Sequence, residues 1–152
     1  MNEQAPQRSI ELFNSGFFCA ESVLLAIAES QGIQSDLIPR IATGFCSGVS
    51  RTGGMCGAVS GAILGINLAA GRNSPEESNE LSYYLTQELI NRFEKQYGSV
   101  NCRQLMGCDL ATGAGQQYFV QNNLMNSCLK YAEDATRIAV SLISEMNEST
   151  TK

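Results

Sequence analysis

The sequence predicts an all-α fold, a single compact domain of about five helices arranged around a buried Gly/Ala-rich central helix. Three observations support this prediction. No segment alternates apolar and polar residues with the period of a strand, several stretches repeat apolar residues at helical spacing, and glycines stand where these stretches end. With 152 residues and 43% hydrophobic content, one domain over residues 1–152 can bury a core, and we expect its ordered part to span about 7–146.

The first third of the chain predicts two helices, a short helical segment and a loop. Residues 7–14 form a short amphipathic helix. Residues 19–30 form a second helix that stops at Gly32, because glycine is common just past a helix end. A short helical segment is predicted over 36–45, and the glycine- and serine-rich residues 44–54 are predicted to form a loop.

The central helix is predicted over about 55–70, within a run of 20 uncharged residues between Arg51 and Arg72. The run is long enough to span a bilayer. It contains six glycines, two hydroxyl residues and an asparagine, however, so its hydrophobicity is modest. We therefore expect a helix buried in a protein core and no membrane insertion.

Three glycines recur at every fourth residue of this helix, at Gly57, Gly61 and Gly65. They make one helix face nearly flat, which lets two backbones approach closely. Each glycine inside a helix costs about 1 kcal/mol relative to alanine, so the repeat requires a reason. Close packing in the core is the favoured reason. A metal cluster or a second subunit against this face is the alternative, and the face is compatible with a homodimer.

A long helix is predicted after the central one. Residues 74–77, Ser-Pro-Glu-Glu, have the pattern of a capping box with proline at the first helical position. We expect a helix from about 75 to 97 that ends at Gly98. Its apolar residues recur on one helical face: Leu81, Tyr84, Leu85, Leu89, Phe93 and Tyr97.

The remaining chain predicts a long loop and a last helix. Ser99 is expected to cap a short turn, and the largely uncharged polar residues 109–127 predict a loop with a helical piece near 116–125. Ser127 is predicted to cap a helix over 128–146, and the polar residues that follow are predicted to be disordered.

Six cysteines and the complete absence of histidine are the main chemical signature of this chain. Unpaired backbone N–H groups and the positive end of the helix dipole favour a thiolate at a helix start. Arg51 would add positive charge near one such position. Because thiolates attack disulfides and bind soft metals, the pattern predicts sulfur chemistry. Four cysteines are predicted at helix starts: Cys19, Cys56, Cys102 and Cys128.

The spacing of the cysteines leaves two kinds of chemical site open. No CxxC pair is present, which argues against a thioredoxin-type site and a zinc ribbon, and without histidine there is no Cys–His catalytic pair. What remains is a metal or iron–sulfur site held by four thiolates, or a thiol–disulfide exchange centre. Burial of the cysteines as small hydrophobic residues is the alternative without chemistry. Cys46 and Cys108 are weaker candidates, as resolving thiols or additional ligands.

The charge of the chain argues against one class of partner. The net charge is −5, with 10 basic residues against 15 acidic ones, and the basic residues are scattered. A nucleic-acid partner would require a basic patch, so none is expected. The N-terminus has no basic start followed by an apolar run, so we expect no secretory signal and a cytoplasmic location, where thiols stay reduced.

The cysteine pattern also resembles a known family. Cys19, the segment 56–61 (Cys-Gly-Ala-Val-Ser-Gly), Cys102 and Cys128 resemble a redox-active family labelled by its cysteine pattern, C_GCAxxG_C_C. The resemblance covers about residues 13–146, and the Arg-Thr-Gly-Gly segment 51–54 supports it. The label has Gly-Cys-Ala where this chain has Cys-Gly-Ala, so the match depends on the wider pattern.

The resemblance implies a small helical protein with a redox role and assigns the shared positions to the four cysteines named above. The family is similar to the iron–sulfur domain of split-Soret cytochromes, which favours an iron–sulfur cluster over zinc. No CxxCH motif is present, so a haem role is not implied. Cys46 and Cys108 depart from the family, whose members usually have glycine and an aromatic residue at these two positions.

We therefore predict a redox or electron-transfer protein whose four shared cysteines bind an iron–sulfur cluster, of the [2Fe–2S] type. One alternative is a cofactor-free thiol oxidoreductase that cycles Cys56, as its catalytic residue, with Cys102 or Cys128. The other is a non-catalytic module that binds Zn²⁺ or another soft metal. A redox partner is expected, but no motif identifies it, and no nucleotide or flavin motif is present.

Overall fold

The computed structural model describes residues 3–152, and within that range the chain forms eight helices, of which the shortest but one is a left-handed turn, and one 3₁₀ helix. The all-α prediction is confirmed, whereas the count of about five helices is wrong. Three of the eight helices have only five to nine residues, too few for a clear periodic pattern. In chain order the elements are α1 (Gln4–Asn14), α2 (Cys19–Ser30), the 3₁₀ helix (Arg40–Phe45), α3 (Cys46–Arg51), α4 (Gly57–Ala70), α5 (Glu80–Tyr97), α6 (Cys102–Met106), α7 (Gly113–Gln121) and α8 (Met125–Thr150).

Helix α4 lies at the centre, as predicted. It packs against α2, α5 and α8, while α1 covers the outer side of α2 and α8. Because α4 has neighbours on several sides, nine of its 14 residues are buried. Among residues 3–152, the largest fully buried side chains are Phe93, Leu24, Ile27, Ile66, Leu89 and Leu142.

Helix α2 occupies the flat glycine face of α4. A Cβ added at Gly61 would lie 2.6 Å from the carbonyl oxygen of Ala20, and one at Gly65 would lie 2.7 Å from two carbons of the Ile27 side chain. The interpretation of the repeat as close core packing is therefore confirmed. A helix of the same chain covers the glycine face, so the glycine repeat does not indicate where a second subunit would bind. The homodimer remains a prediction.

Helix α5 begins at Glu80, five residues later than predicted. Residues 74–77 form a turn instead of a capping box, since the Arg72 guanidinium donates to the carbonyl oxygens of Pro75 and Glu77. The Glu77 carboxylate accepts from the backbone N–H of Asn73. Of the predicted apolar face, Leu85, Leu89 and Phe93 are buried, whereas the side chains at the N-terminal end are exposed.

The last two helices also differ from the prediction. Thr112 caps α7, and its hydroxyl accepts from the N–H of Gly115, so the helical piece lies at 113–121 within the predicted loop. Helix α8 begins at Met125 instead of after Ser127. It continues to Thr150, so helical structure extends beyond the predicted ordered segment 7–146 at both ends.

In residues 3–152 we find no helix with both the length and the apolar character needed to cross a bilayer.

Candidate functional site

A short backbone pairing brings Cys56 and Cys102 close together. Met55 and Asn101 form an isolated antiparallel bridge. The N–H of Cys56 donates to the Val100 oxygen at 2.7 Å, and the N–H of Cys102 donates to the Gly54 oxygen at 2.8 Å. Each cysteine then stands at a helix start, Cys56 immediately before α4 and Cys102 as the first residue of α6, as predicted. The α6 cap is Asn101, whose side chain accepts from the N–H of Gln104, and not the predicted Ser99.

Two glycines provide space for two of the thiols. Cys19 is the first residue of α2, and a Cβ at Gly57 would lie only 2.3 Å from its Sγ atom. A Cβ at Gly48 would lie 2.4 Å from the Cβ of Cys102 and 2.9 Å from its Sγ atom. The glycines at these positions therefore let backbone approach the sulfur atoms directly.

Cys128 does not stand at the helix start that the sequence predicts. It lies in the first turn of α8, and its N–H already donates to the carbonyl oxygen of Leu124. Its Sγ atom lies 3.8 Å from the Sδ atom of Met106 on α6. Met106 is 5% exposed, so a second sulfur-containing side chain shields this thiol.

One cavity of about 220 Å³ is lined by all four of these cysteines. This volume is far larger than the roughly 10–15 Å³ that a single water molecule requires. The cysteines come from α2, the α4 start, α6 and α8, which are far apart in sequence. The wall between them is mainly apolar and includes Phe13, Phe18, Leu105, Leu110 and Phe119.

The four cysteines are nevertheless not arranged around a point. Within residues 3–152, no three Cys, Asp or Glu side chains come close enough to share one metal ion. A tetrahedral zinc ion with Zn–S bonds of about 2.3 Å would require sulfur–sulfur distances of roughly 3.8 Å. A single ion therefore requires rearrangement, whereas the cavity of about 220 Å³ that the four cysteines line has room for a larger group.

Burial controls the protonation of the cavity thiols. It raises the pKa of Cys56 to about 11, although the backbone N–H groups of Ala58 and Val59 lower it in part. Burial, followed by the neighbouring thiol charges, raises the pKa of Cys128 to about 12. The pKa of Cys102 is raised for the same reasons. These three thiols are protonated at neutral pH, which corrects the expectation that the helix starts would make them thiolates.

The two additional cysteines lie at the edge of the site and do not line the cavity. Cys46 is buried in a small apolar cluster against which Cys19 packs. The Cys19 thiol, and then burial, raise the pKa of Cys46 well above its usual range. Cys108 is partly exposed, and its negative form would raise the pKa of Cys102. Each additional cysteine is thus a neighbour of one cavity cysteine.

Ring contacts and a hydrogen bond support the wall of the cavity at α8. The ring of Tyr131 lines the cavity and packs edge-on against Tyr97, with ring centroids 4.7 Å apart. The hydroxyl of Tyr97 donates to the carboxylate of Asp134, which is 4% exposed. Burial opposes ionisation of Asp134, but the hydrogen bonds from Tyr97 and Lys130 outweigh it, so its pKa lies below the usual value. The cysteine pattern gives no signal for Tyr131, so sequence reasoning missed this residue of the site.

Segment α3, predicted to be part of a loop, is a left-handed turn beside the cavity. Residues 47–51 all have φ between 55° and 68°, including the β-branched Val49. This conformation costs roughly 1–2 kcal/mol for each non-glycine residue. Ser47, Gly48 and Arg51 of this turn line the cavity. No local sequence signal predicts a left-handed turn with only one glycine.

The chain matches a family model and a protein of Archaeoglobus fulgidus. The family model is described as "Putative redox-active protein (C_GCAxxG_C_C)" and matches residues 17–142. An uncharacterized protein of Archaeoglobus fulgidus is 32% identical over 112 residues, which is 68% of this chain and 74% of that protein. No solved structure matches the chain.

Proposed function

Since this chain belongs to the C_GCAxxG_C_C family of redox-active proteins, we propose that it is an electron-transfer protein that binds an iron–sulfur cluster of the [2Fe–2S] type. Cys19, Cys56, Cys102 and Cys128 are the proposed ligands. We further propose that it works in the cytoplasm with a separate redox partner. One observation carries the proposal: four cysteines from four distant parts of the chain line the same cavity.

The donor set and the cavity support a cluster. Thiolates are the ligands of both [2Fe–2S] and [4Fe–4S] clusters, and four are required. The sulfur atoms border a space of about 220 Å³ instead of meeting at one ion position. This arrangement favours a polynuclear group over the zinc alternative, for which the thiols would have to move together. When bound, such a cluster accepts and releases one electron.

The chain's own residues would hold the group among mainly apolar side chains. The lining residues Phe18, Met125 and Val120 are exposed, so the cavity is open to solvent. The bridge between Met55 and Asn101 holds Cys56 and Cys102 in register. The thiols must lose their protons on binding, so binding is coupled to proton release.

The same protonation weighs against the cofactor-free alternative. With a pKa of about 11, Cys56 would be a thiolate in only about one molecule in ten thousand at pH 7. Thiol–disulfide exchange requires the thiolate. Attack by Cys56 on a disulfide would therefore be slow, whereas a metal ion that binds the sulfur displaces the thiol proton.

The proposal is tested by purifying the protein without oxygen and measuring iron, acid-labile sulfide and the visible spectrum. We expect a coloured protein with equal amounts of iron and sulfide. Replacing any of the four cavity cysteines with alanine is expected to reduce iron content at least about tenfold, because a four-thiolate site loses a ligand. Cys108→Ala is the matched control and is expected to retain iron, since Cys108 does not line the cavity. Stoichiometric zinc or a metal-free protein under these conditions would overturn the proposal.

Gly57→Ala is a second test of the same site. The new methyl group would lie 2.3 Å from the Sγ atom of Cys19 and 3.1 Å from the carbonyl oxygen of Phe45. We expect the Cys19 side chain to be displaced and the iron to be released to a chelator about tenfold faster. Gly113→Ala, at a position where a Cβ has no neighbour within 4 Å, should leave iron release unchanged. Equal release rates from both variants would contradict this arrangement of Cys19.

A further inference from the structure

Arg51 stands out among the residues of the cavity. It is the only charged residue among those that line it, all of which lie in the described part of the chain. Within residues 3–152, no ion pair or side-chain hydrogen bond involves its guanidinium group. Four other arginines have carboxylate partners: Arg8 with Glu29, Arg92 with Glu145, Arg103 with Asp109, and Arg137 with Glu3.

The backbone holds Arg51 at this position by an unusual conformation. Arg51 ends the left-handed turn and itself has a φ of 68°. The turn is fixed from several sides: the Ser50 hydroxyl donates to the Gly44 oxygen, the Thr52 hydroxyl to the Val49 oxygen, and the Gly54 N–H to the Gly48 oxygen. Strained backbone persists where its surroundings hold it in place, and it concentrates at functional sites.

Arg51 is exposed, and its positive charge borders a mainly apolar cavity with four thiols, which favours an anionic occupant. Four thiolates bring more negative charge than an iron–sulfide core brings positive charge, so the bound group is a net anion. Reduction by one electron makes it more negative, without any bond being formed or broken. Net charge, hydrogen bonds at the sulfur atoms and solvent exposure set the reduction potential of such groups, so a positive charge beside the cavity affects it.

We propose that Arg51 is a positioning residue that balances the negative charge of the thiolate-held group and raises its reduction potential. This inference rests on the proposed function. The guanidinium stabilises the reduced form more than the oxidised form, because the reduced form carries one more negative charge. It also helps retain the group, because it is the one positively charged side chain among the described residues that line the cavity.

The test compares wild-type protein with R51Q, R51K and the control R40Q, all purified without oxygen. Arg40 begins the 3₁₀ helix, is exposed and does not line the cavity. Iron and sulfide content, the midpoint potential from a spectroscopic redox titration, and the rate of iron release to a chelator are measured. We expect R51Q to have a more negative midpoint potential and roughly tenfold faster iron release. R51K, which keeps the positive charge, and R40Q are expected to stay close to wild type.

The possible failures are distinguishable. Wild-type protein without iron and sulfide would overturn both the proposed function and the role of Arg51. Wild-type protein with a cluster, together with an R51Q midpoint potential equal to that of wild type, would overturn only the role of Arg51. An R51K potential as low as that of R51Q would also overturn it, since the charge would then not be the cause.

Discussion

Replacing Gly61 with leucine is expected to lower the free energy of unfolding by about 3 kcal/mol or more. A Cβ at this position would lie 2.6 Å from the carbonyl oxygen and 2.9 Å from the Cα atom of Ala20. Both are backbone atoms of α2, so no side-chain rotation can relieve the contact. Leucine has a better helix propensity than glycine by less than about 1 kcal/mol, which does not offset the overlap.

Urea unfolding followed by circular dichroism measures this effect. Gly61→Ala is the milder variant if the leucine variant does not fold, and it should lie between wild type and the leucine variant. Gly113→Leu is the matched control, since a Cβ there has no neighbour within 4 Å. A Gly61→Leu protein with the wild-type unfolding midpoint would contradict the close approach of α2 and α4.

The metal-free protein is expected to lose stability as the pH rises above about 9. Burial raises the pKa of Cys56 from an ordinary value of 9.0 to about 11. A folded-state pKa above the unfolded value means that the folded protein binds more protons. The stabilisation is fully present below pH 9 and is lost as the pH rises through 11. At about 1.4 kcal/mol per unit, deprotonation of Cys56 accounts for roughly 3 kcal/mol. Cys128 acts in the same direction.

The measurement is the free energy of unfolding of metal-free wild type, Cys56→Ala and Cys108→Ala at pH 8 and pH 11. Tyr97 and Tyr131 also have raised pKa values, so all three proteins should lose some stability in alkali. Cys56→Ala is expected to lose less than wild type between the two pH values. Cys108→Ala is expected to stay closer to wild type, because Cys108 is only partly buried, although burial also raises its pKa. Equal losses in wild type and Cys56→Ala would show that burial does not keep this thiol protonated.

Helix formation was predictable where local signals were strong. Residues 19–30 form α2 as predicted, and the central helix observed at Gly57–Ala70 lies within the predicted 55–70. The start of α5 was not predictable, because Arg72 and Glu77 stabilise a turn at residues that also fit a capping box. The left-handed turn at 47–51 could not be predicted, because it depends on hydrogen bonds from residues on both sides.

The sequence grouped the cysteines of the candidate site, but it did not predict their pKa values. The sequence identifies Cys19, Cys56, Cys102 and Cys128 as one set, and the structure places all four in one cavity. The helix-start argument correctly describes two N–H groups near Cys56, but it cannot include the burial that raises its pKa. The helix-start argument also does not show that Arg51 forms no ion pair with a carboxylate, since that depends on the positions of residues far away in the sequence.

By itself, the sequence determined the helical class, the central helix with its flat glycine face, the family and the set of four cysteines. These features follow from local spacing and residue type, which act within a few residues along the chain. Only the tertiary structure decided that α2 covers the glycine face and that the four thiols border one cavity. It also decided that those of Cys56, Cys102 and Cys128 are protonated and that Arg51 is the charged residue beside them. These outcomes depend on desolvation and on contacts between residues far apart in the chain, which no local pattern contains.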